Sequence, residues 1–258
     1  MPTTFTHDLF GKEVYKMLPR ETRQKIRSHG SLYRIGLHGP DIFFYRHLYK
    51  NKIGRIGTGM HQQPAKPFFM RGLDRVREEN DEALMAYLLG FACHFLLDSV
   101  CHPYIKEIET EVSHTMIEKE LDRLLMEEDG KDPFVYHPSC CIHPGIQEAR
   151  TIQKVFPEVK AQEIRRSLSR MKNLTNLMVY RGDTSQKLLV KTLSVLGQEK
   201  LTEHIMRKEK DPSLEPYLNE LKRLFWKARE EAPALLGSME AYVKTGAVLP
   251  SRFDRSYL

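Results

Sequence analysis

Three side chains that can bind a metal ion follow one another at four-residue intervals in the most apolar stretch of the sequence: His94, Asp98 and His102. Residues four apart lie on nearly the same face of an α-helix, so these side chains would form one polar stripe. No Lys or Arg lies between residues 84 and 105 to pair with the Asp98 carboxylate. Because a buried, unpaired carboxylate costs several kcal/mol, a divalent cation bound along the stripe would offset that cost.

A second pair with the same spacing follows, because His114 and Glu118 are also four residues apart. Three further candidates precede the stripe: His7, Asp41 and His61. Any one of these residues alone is more often a helix cap or a salt-bridge partner. Together the eight residues offer five imidazoles and three carboxylates, the side chains that bind zinc in proteins, so the sequence predicts a metal centre.

Helices must position these residues, because helical spacing of apolar residues dominates the sequence and the alternation typical of strands is rare. We predict an all-α fold, with a single helical bundle domain over residues 1–258. Residues 1–125 would carry the metal ligands, and residues 146–258 would form supporting helices. The predicted helices are residues 7–18 (with Thr6 as N-cap), 21–29, 60–79 (broken near Pro64 and Pro67), 81–102, 107–127, 147–155, 158–180, 184–196, 200–208 and 214–244. Residues 31–58 and 130–145 are predicted loops, and the last residues are predicted to be irregular.

The composition is that of a soluble globular protein, with 41% hydrophobic and 29% charged residues. The net charge of +6 favours anionic lipid surfaces or phosphate-bearing ligands. Because no segment concentrates Lys and Arg, we expect no nucleic-acid partner. The first residues lack the apolar stretch of a secretory signal, and His94 and Asp98 interrupt the longest apolar run. We therefore expect a cytoplasmic protein whose four cysteines are free thiols.

The order and types of the eight candidates, with the two four-residue helical spacings, resemble the zinc-dependent phospholipase C family. That family includes bacterial phosphatidylcholine-hydrolysing enzymes and the catalytic domain of clostridial α-toxin. The resemblance covers about residues 1–125. It implies a helical bundle of the type shared with single-strand nucleases, two or three zinc ions, and hydrolysis of a phosphate ester by metal-activated water. A phospholipid substrate would bring peripheral contact with a membrane.

The resemblance also implies how the ligands divide among three zinc sites. The first would take Asp41, His61, His94 and Asp98; the second would take His102, His114 and Glu118; the third would take His7 and share Asp98. Asp41 would also be the general base that receives a proton from the attacking water. The aromatic residues beside it, Phe43, Phe44 and Tyr45, either line a substrate pocket or belong to the core.

The sequence departs from the family at the third site. Secreted members supply the amine and carbonyl of an N-terminal tryptophan there, whereas this chain begins Met1-Pro2 and its only tryptophan is Trp226. The third site is therefore either empty or completed by another group. His38, three residues before Asp41, and the amine of a processed Pro2 are the candidates.

Several alternatives stay open from the sequence. A soluble phosphomonoesterase or a nuclease could use the same scaffold, and iron or manganese would suit the same ligands as zinc. The chain could also be a non-enzymatic domain that metal ions stabilise. A site with only three protein ligands, His102, His114 and Glu118, is open, and this favours catalysis. A phosphohydrolase of the HD type is disfavoured, because the one contiguous pair, His7-Asp8, has no matched partners.

Overall fold

The structure is a computed structural model that describes residues 4–45, 52–179, 183–195, 202, 205–206 and 208–258. Over these residues the chain is helical and forms no β-strand, which confirms the predicted all-α class. The α-helices are α1 (Thr4–Met17), α2 (Arg20–Ser28), α3 (Gly30–Gly36), α4 (Lys52–Gln62), α5 (Lys66–Glu79), α6 (Glu82–Ile108), α7 (His114–Glu128), α8 (Ile146–Gln153), α9 (Ala161–Leu177), α10 (Asp183–Val195) and α11 (Glu215–Thr245). Short 3₁₀ helices include Gly39–Tyr45, Pro212–Leu214 and Ser251–Asp254.

Helix α6 is the central element of the fold. The side chain of Asp81 caps it by accepting a hydrogen bond from the Leu84 amide at 2.9 Å. By length and apolar composition α6 could also cross a membrane, but 94% of its most apolar stretch is buried inside the protein. Helices α1, α3, α5 and α11 pack against it. The polar stripe therefore lies in the middle of the core.

The backbones of α3 and α6 cross in direct contact at two glycines. A Cβ atom at Gly36 would lie 2.3 Å from the Tyr87 carbonyl oxygen, and one at Gly90 would lie 2.1 Å from the Tyr33 carbonyl oxygen. Neither position has room for a side chain. This crossing places the 3₁₀ helix after α3, which carries Asp41, against the turn of α6 that carries His94.

A buried carboxylate of α7 holds the start of α1. Asp122 accepts hydrogen bonds from the Thr6 amide at 2.8 Å and the Thr6 hydroxyl at 2.7 Å. The predicted cap at Thr6 is wrong: α1 begins at Thr4, and a side chain from another helix binds its free amides. Asp8 forms two hydrogen bonds to Arg34, at 2.8 and 2.7 Å, so it pairs with a cation and not with His7.

The predicted loop over residues 31–58 is wrong. This segment contains α3, the 3₁₀ helix Gly39–Tyr45 and the first half of α4, while residues 46–51 lie outside the described residues. Three glycines in α4 obscure its helical pattern. Position 57 leaves no room for a larger residue, because a Cβ atom there would lie 2.9 Å from the Phe44 ring. Packing against the 3₁₀ helix overrides the low helix propensity of glycine.

The boundary between α6 and α7 also differs from the prediction. Helix α6 continues through Pro103 to Ile108, and α7 begins at His114 and not near Glu107. A proline in a helix removes one amide donor and usually ends the helix, which is why the prediction stopped at His102. The predicted helix at 200–208 falls largely outside the described residues.

Candidate metal centre

Five elements bring all eight predicted ligands to one place in the core. The 3₁₀ helix Gly39–Tyr45 supplies Asp41 and α6 supplies three ligands, while α1, α4 and α7 supply the others. The side chains of this cluster are His7, Asp41, His61, His94, Asp98, His102, His114 and Glu118. His114 is the most open of them, with 35% of its side chain exposed.

Asp98 lies between four histidines that come from three helices, α1, α4 and α6. Its Oδ2 is 3.0 Å from Nε2 of His94 and 3.7 Å from Nε2 of His61. Its Oδ1 is 3.3 Å from Nε2 of His7 and 3.9 Å from Nε2 of His102. Each oxygen of the carboxylate therefore faces a different pair of imidazoles.

Asp41 joins the same part of the cluster from the opposite side. Its Oδ1 lies 3.1 Å from Nε2 of His61, and its Oδ2 lies 3.7 Å from Nε2 of His94. Two groups of potential ligand atoms, each within 4.8 Å of one another, meet here: His61, His94 and Asp98; and His7, Asp41 and His94. Asp41 and His7 thus lie beside the stripe of α6, although they are far from it in sequence.

A second group forms where α6 meets α7. The Glu118 Oε1 atom lies 3.0 Å from Nε2 of His114 and 3.5 Å from Nε2 of His102. These three ligand atoms also lie within 4.8 Å of one another. A divalent ion held by these three groups alone would keep a coordination position free, as catalytic zinc sites do.

Outer hydrogen bonds turn the imidazoles so that each Nε2 faces the cluster. His61 donates from Nδ1 to the Gly57 carbonyl at 2.7 Å, and His102 donates from Nδ1 to the Tyr257 carbonyl at 2.9 Å. His114 donates from Nδ1 to a Glu109 carboxylate oxygen at 3.0 Å. Metal-binding histidines usually carry such a partner, which fixes the tautomer and leaves the other nitrogen free to bind the ion.

The centre also contains polar atoms that nothing in the protein satisfies. Nε2 of His94, Oδ2 of Asp41 and Oε2 of Glu118 are buried without a hydrogen-bond partner. Such atoms are rare in folded proteins because leaving them unpaired is costly. All three atoms belong to side chains of the cluster and can offer a lone pair to a metal ion, so the residues fit divalent cations.

The electrostatics agree with a site for cations. Burial opposes the charged form of His61, but hydrogen bonds to Asp41 and Asp98 outweigh burial and raise its pKa to about 11. Burial also opposes the charged form of His102, and the carboxylates of Asp98 and Glu118 raise its pKa to about 9. Without a metal ion, protons on the imidazoles would therefore balance the buried carboxylates.

The pKa values of the carboxylates of Asp98 and Glu118 shift in the opposite direction to those of the histidines, because they are lowered. Burial favours the neutral form of Asp98, yet the charges of His94, His102 and His7 hold its pKa well below the usual range. Burial favours neutral Glu118 as well, and hydrogen bonds from His102 and His114 lower its pKa far below that of a free carboxyl. Both groups remain ionised, as metal ligands must be.

His38, the predicted extra ligand, lies beside this cluster and is completely buried. Burial lowers its pKa to about 3, and its Nε2 atom has no hydrogen-bond partner. Its imidazole is therefore neutral, the form that can bind a metal. The ligand groups among the described residues do not include it, so its role stays a prediction. The other candidate for the third site, the amine of Pro2, lies outside the described residues.

The three aromatic residues beside Asp41 have different surroundings. Phe43 is fully buried and packs against Phe156, with ring centroids 4.7 Å apart. Phe44 is half-buried and stacks on His61 at 5.6 Å. Tyr45 is buried beside Glu118 in a small cavity. Phe44 is thus the one of the three with exposed surface next to a ligand, and a substrate-binding role for these residues stays a prediction.

The groups that accept hydrogen bonds from the outer nitrogens of the histidines were not predicted from the sequence. Gly57 and Tyr257 act through backbone carbonyls, which every residue type has, and Tyr257 is 155 positions from the histidine it contacts. Glu109, the partner of His114, has a carboxylate that a sequence pattern could have indicated, but residues 107–127 were predicted to form one helix with both residues inside it.

The four cysteines are free thiols, as expected.

Comparison with known protein families agrees with this geometry. A family model described as zinc dependent phospholipase C matches residues 6–172, which is more than half of the chain and includes all eight predicted ligands. No curated protein and no solved structure matches the chain.

Proposed function

The chain belongs to the zinc-dependent phospholipase C family, and on that premise we propose that it is a multi-zinc phosphoesterase that hydrolyses a phosphodiester. The observation that carries this proposal is the arrangement around Asp98, whose two oxygens face different imidazoles 3.0 to 3.9 Å away. A structural zinc site is closed by four protein ligands around one ion, whereas this centre contains eight candidate ligands, with Asp98 among them.

The proposed ligand sets are the ones that the family resemblance implies. In the structure, His7 is grouped with Asp41 and His94, and its Nε2 also lies 3.3 Å from Oδ1 of Asp98. Asp41, His61, His94 and Asp98 would hold one ion; His102, His114 and Glu118 a second; and His7 with Asp98 a third. Zinc bound there would stabilise the phosphoryl oxygens and acidify the attacking water. Zinc is the metal that the family implies, and iron or manganese would suit the same side chains.

Asp41 is the proposed general base. Its Oδ2 atom is buried without a hydrogen-bond partner, so it has a free lone pair for a proton, while Oδ1 is held 3.1 Å from His61. A base positioned in this way contributes typically about 10²–10⁴-fold to the rate. The three carboxylates of the centre would not cancel the charge of two or three divalent ions, so the site with its ions bound would be cationic and would favour an anionic ester.

The proposed substrate is a phospholipid or a soluble phosphodiester. A net charge of +6 and the half-buried Phe44 ring beside His61 support an anionic ester with an apolar or choline-like group. A lipid substrate requires peripheral contact with a membrane, which is part of this proposal. The cytoplasmic location and the absence of a nucleic-acid partner stay predictions.

The test is hydrolysis of phosphatidylcholine vesicles and of a soluble aryl phosphodiester, with an aryl phosphomonoester and single-stranded DNA alongside. We expect diester cleavage that a chelator abolishes and that zinc restores, with manganese and iron(II) added in parallel. The Asp41→Asn variant should lose about 10²-fold or more. The exposed Asp129→Asn variant is the matched control and should keep full activity.

Cleavage of only the monoester or only the DNA would replace the proposed substrate with one of the alternatives on the same scaffold. Activity that withstands both the chelator and Asp41→Asn would contradict the proposed reaction. No turnover of any substrate by protein that carries its full complement of zinc would point to a metal-stabilised domain without catalysis.

A further inference from the structure

Residues 250–258 lie far outside the segment that matches the family model, yet Tyr257 within this segment packs against the metal centre. Tyr257 is fully buried, and its ring centroid lies 5.3 Å from that of His61 and 5.9 Å from that of His94. The same ring meets Phe95 edge-on at 5.1 Å. Tyr257 therefore forms one wall of the ligand cluster.

The backbone of this residue also orients a ligand. The Tyr257 carbonyl accepts a hydrogen bond from Nδ1 of His102 at 2.9 Å. A carbonyl oxygen can only accept, so Nδ1 must carry the proton, and the lone pair of the neutral ring is on Nε2. That nitrogen faces Glu118 Oε1 at 3.5 Å and Asp98 Oδ1 at 3.9 Å.

Contacts away from the centre hold the segment in place. Phe253 stacks on Phe95 with ring centroids 5.6 Å apart and an interplanar angle of 12°. The Arg255 carbonyl accepts a hydrogen bond from the Ala65 amide at 3.0 Å, just before α5. Arg252 donates to the Ser99 hydroxyl on α6 at 3.2 Å. Because these contacts do not involve a ligand, the position of the Tyr257 carbonyl does not depend on His102.

We propose that residues 250–258 are a built-in part of the metal centre, and that Tyr257 is a positioning residue that sets the zinc affinity of the site formed by His102, His114 and Glu118. The inference rests on the proposed zinc centre, but not on the identity of the substrate. The orienting group is the carbonyl, and the ring keeps it there. The Tyr257 hydroxyl is buried without a partner, so it contributes nothing to the positioning.

The experiment measures zinc affinity by competition with a chromophoric chelator, together with the number of zinc ions per chain. Tyr257→Phe keeps the ring and the carbonyl and should bind zinc as the original protein does. Tyr257→Ala and deletion of residues 250–258 should weaken binding of one ion per chain by about 10–100-fold, the usual effect of losing an outer partner of a ligand. The remaining zinc should stay bound.

A matched control separates positioning from general loss of packing. Phe225 is also a fully buried aromatic residue, but it packs against Phe10 and Trp226 and contacts no predicted ligand. Phe225→Ala should lower the melting temperature and leave the zinc affinity unchanged. Tyr257→Leu, which retains most of the buried volume, replaces Tyr257→Ala if the latter does not fold.

A spectroscopic measurement tests the hydrogen bond itself. In zinc-loaded protein with ¹⁵N-labelled histidine, the Nδ1 proton of His102 should exchange slowly with solvent, and it should exchange faster in Tyr257→Leu but not in Tyr257→Phe. Equal zinc affinity and equal proton exchange in all Tyr257 variants would overturn the inference and leave the proposed function intact. An original protein that binds no zinc would overturn both.

Discussion

At the scale of single residues, the charge on Asp98 is what connects the imidazoles of the centre. We expect Asp98→Asn to lose most of the bound zinc together with most of the activity, because an amide offers one neutral oxygen where the carboxylate offers two charged ones. The loss of affinity should exceed the roughly 10–100-fold that removal of an outer partner costs. Elemental analysis and a phosphodiesterase assay on the same preparation measure both quantities.

Asp74→Asn is the matched control for this substitution. Asp74 accepts a hydrogen bond from the Tyr242 hydroxyl at 2.7 Å, a contact that an amide oxygen can also make, and it lies on α5 outside the centre. This variant should keep its zinc. If Asp98→Asn retained zinc as fully as Asp74→Asn, Asp98 would not be shared between ions.

The raised pKa values of the histidines predict proton release when zinc binds. His61 and His102, with pKa values of about 11 and 9, hold a proton at pH 7 in metal-free protein. Zinc binds only the neutral imidazole, so each ligand must lose its proton first. Because acid favours the protonated ligands, the apparent zinc affinity should fall as the pH falls and rise as the pH rises.

Calorimetric titration of metal-free protein with zinc measures this release. At pH 7, titrations in two buffers with different ionisation enthalpies should show more than one proton released per chain. The apparent affinity should also increase between about pH 6 and pH 8. Zinc binding without proton release, at an affinity that does not change with pH, would contradict the electrostatic description of the centre.

At the scale of the elements, the crossing of α3 and α6 fixes where Asp41, in the 3₁₀ helix that follows α3, meets the candidate ligands of α6. Gly90→Ala should destabilise the protein by about 1–3 kcal/mol or more, because the added Cβ would lie 2.1 Å from a backbone oxygen and the two helices would have to separate. Gly237 is solvent-exposed and lies well within α11, away from its ends, and a Cβ atom added there would have nothing within 4 Å. Gly237→Ala should stabilise the protein by about 0.5–1 kcal/mol.

Denaturant unfolding of the two variants in the presence of saturating zinc measures the free energy of unfolding and tests these opposite changes in stability. A second consequence is specific to the site: Gly90 lies one turn before His94, so Gly90→Ala should also weaken zinc binding, whereas Gly237→Ala should not. Equal and small effects of both substitutions on stability would mean that the two helices do not cross as closely as the structure shows.

Some helices could be predicted because the pattern of apolar and polar residues along them reflects which of their faces are buried. Helix α6 is apolar on nearly all sides apart from its stripe, so its central position and the common face of His94, Asp98 and His102 follow from helical geometry. Helix α4 was missed because its glycines lower helix propensity, and the contact that requires Gly57 is made by a distant segment. Propensity is local, whereas this contact depends on the tertiary fold.

At the scale of the whole molecule, the centre draws on residues from position 7 to position 257. The eight candidate ligands, which the structure brings together, could be picked out from the sequence because few combinations of side chains bind zinc and each side chain is encoded in the sequence. The role of the Tyr257 carbonyl could not be predicted in this way, because every residue has a backbone carbonyl and the residue type therefore does not indicate its use. Tyr257 reaches the candidate ligands because the segment around it, residues 250–258, is held by hydrogen bonds to Ser99 on α6 and to Ala65 just before α5.

The zinc content of the purified protein tests the central claim most directly. Tag-free protein purified without chelator should contain two to three zinc ions per chain by elemental analysis, since the ligands form one open group at α7 and a larger group around Asp98. Zero or one ion per chain, in protein that is folded, would contradict the account of a multi-zinc centre.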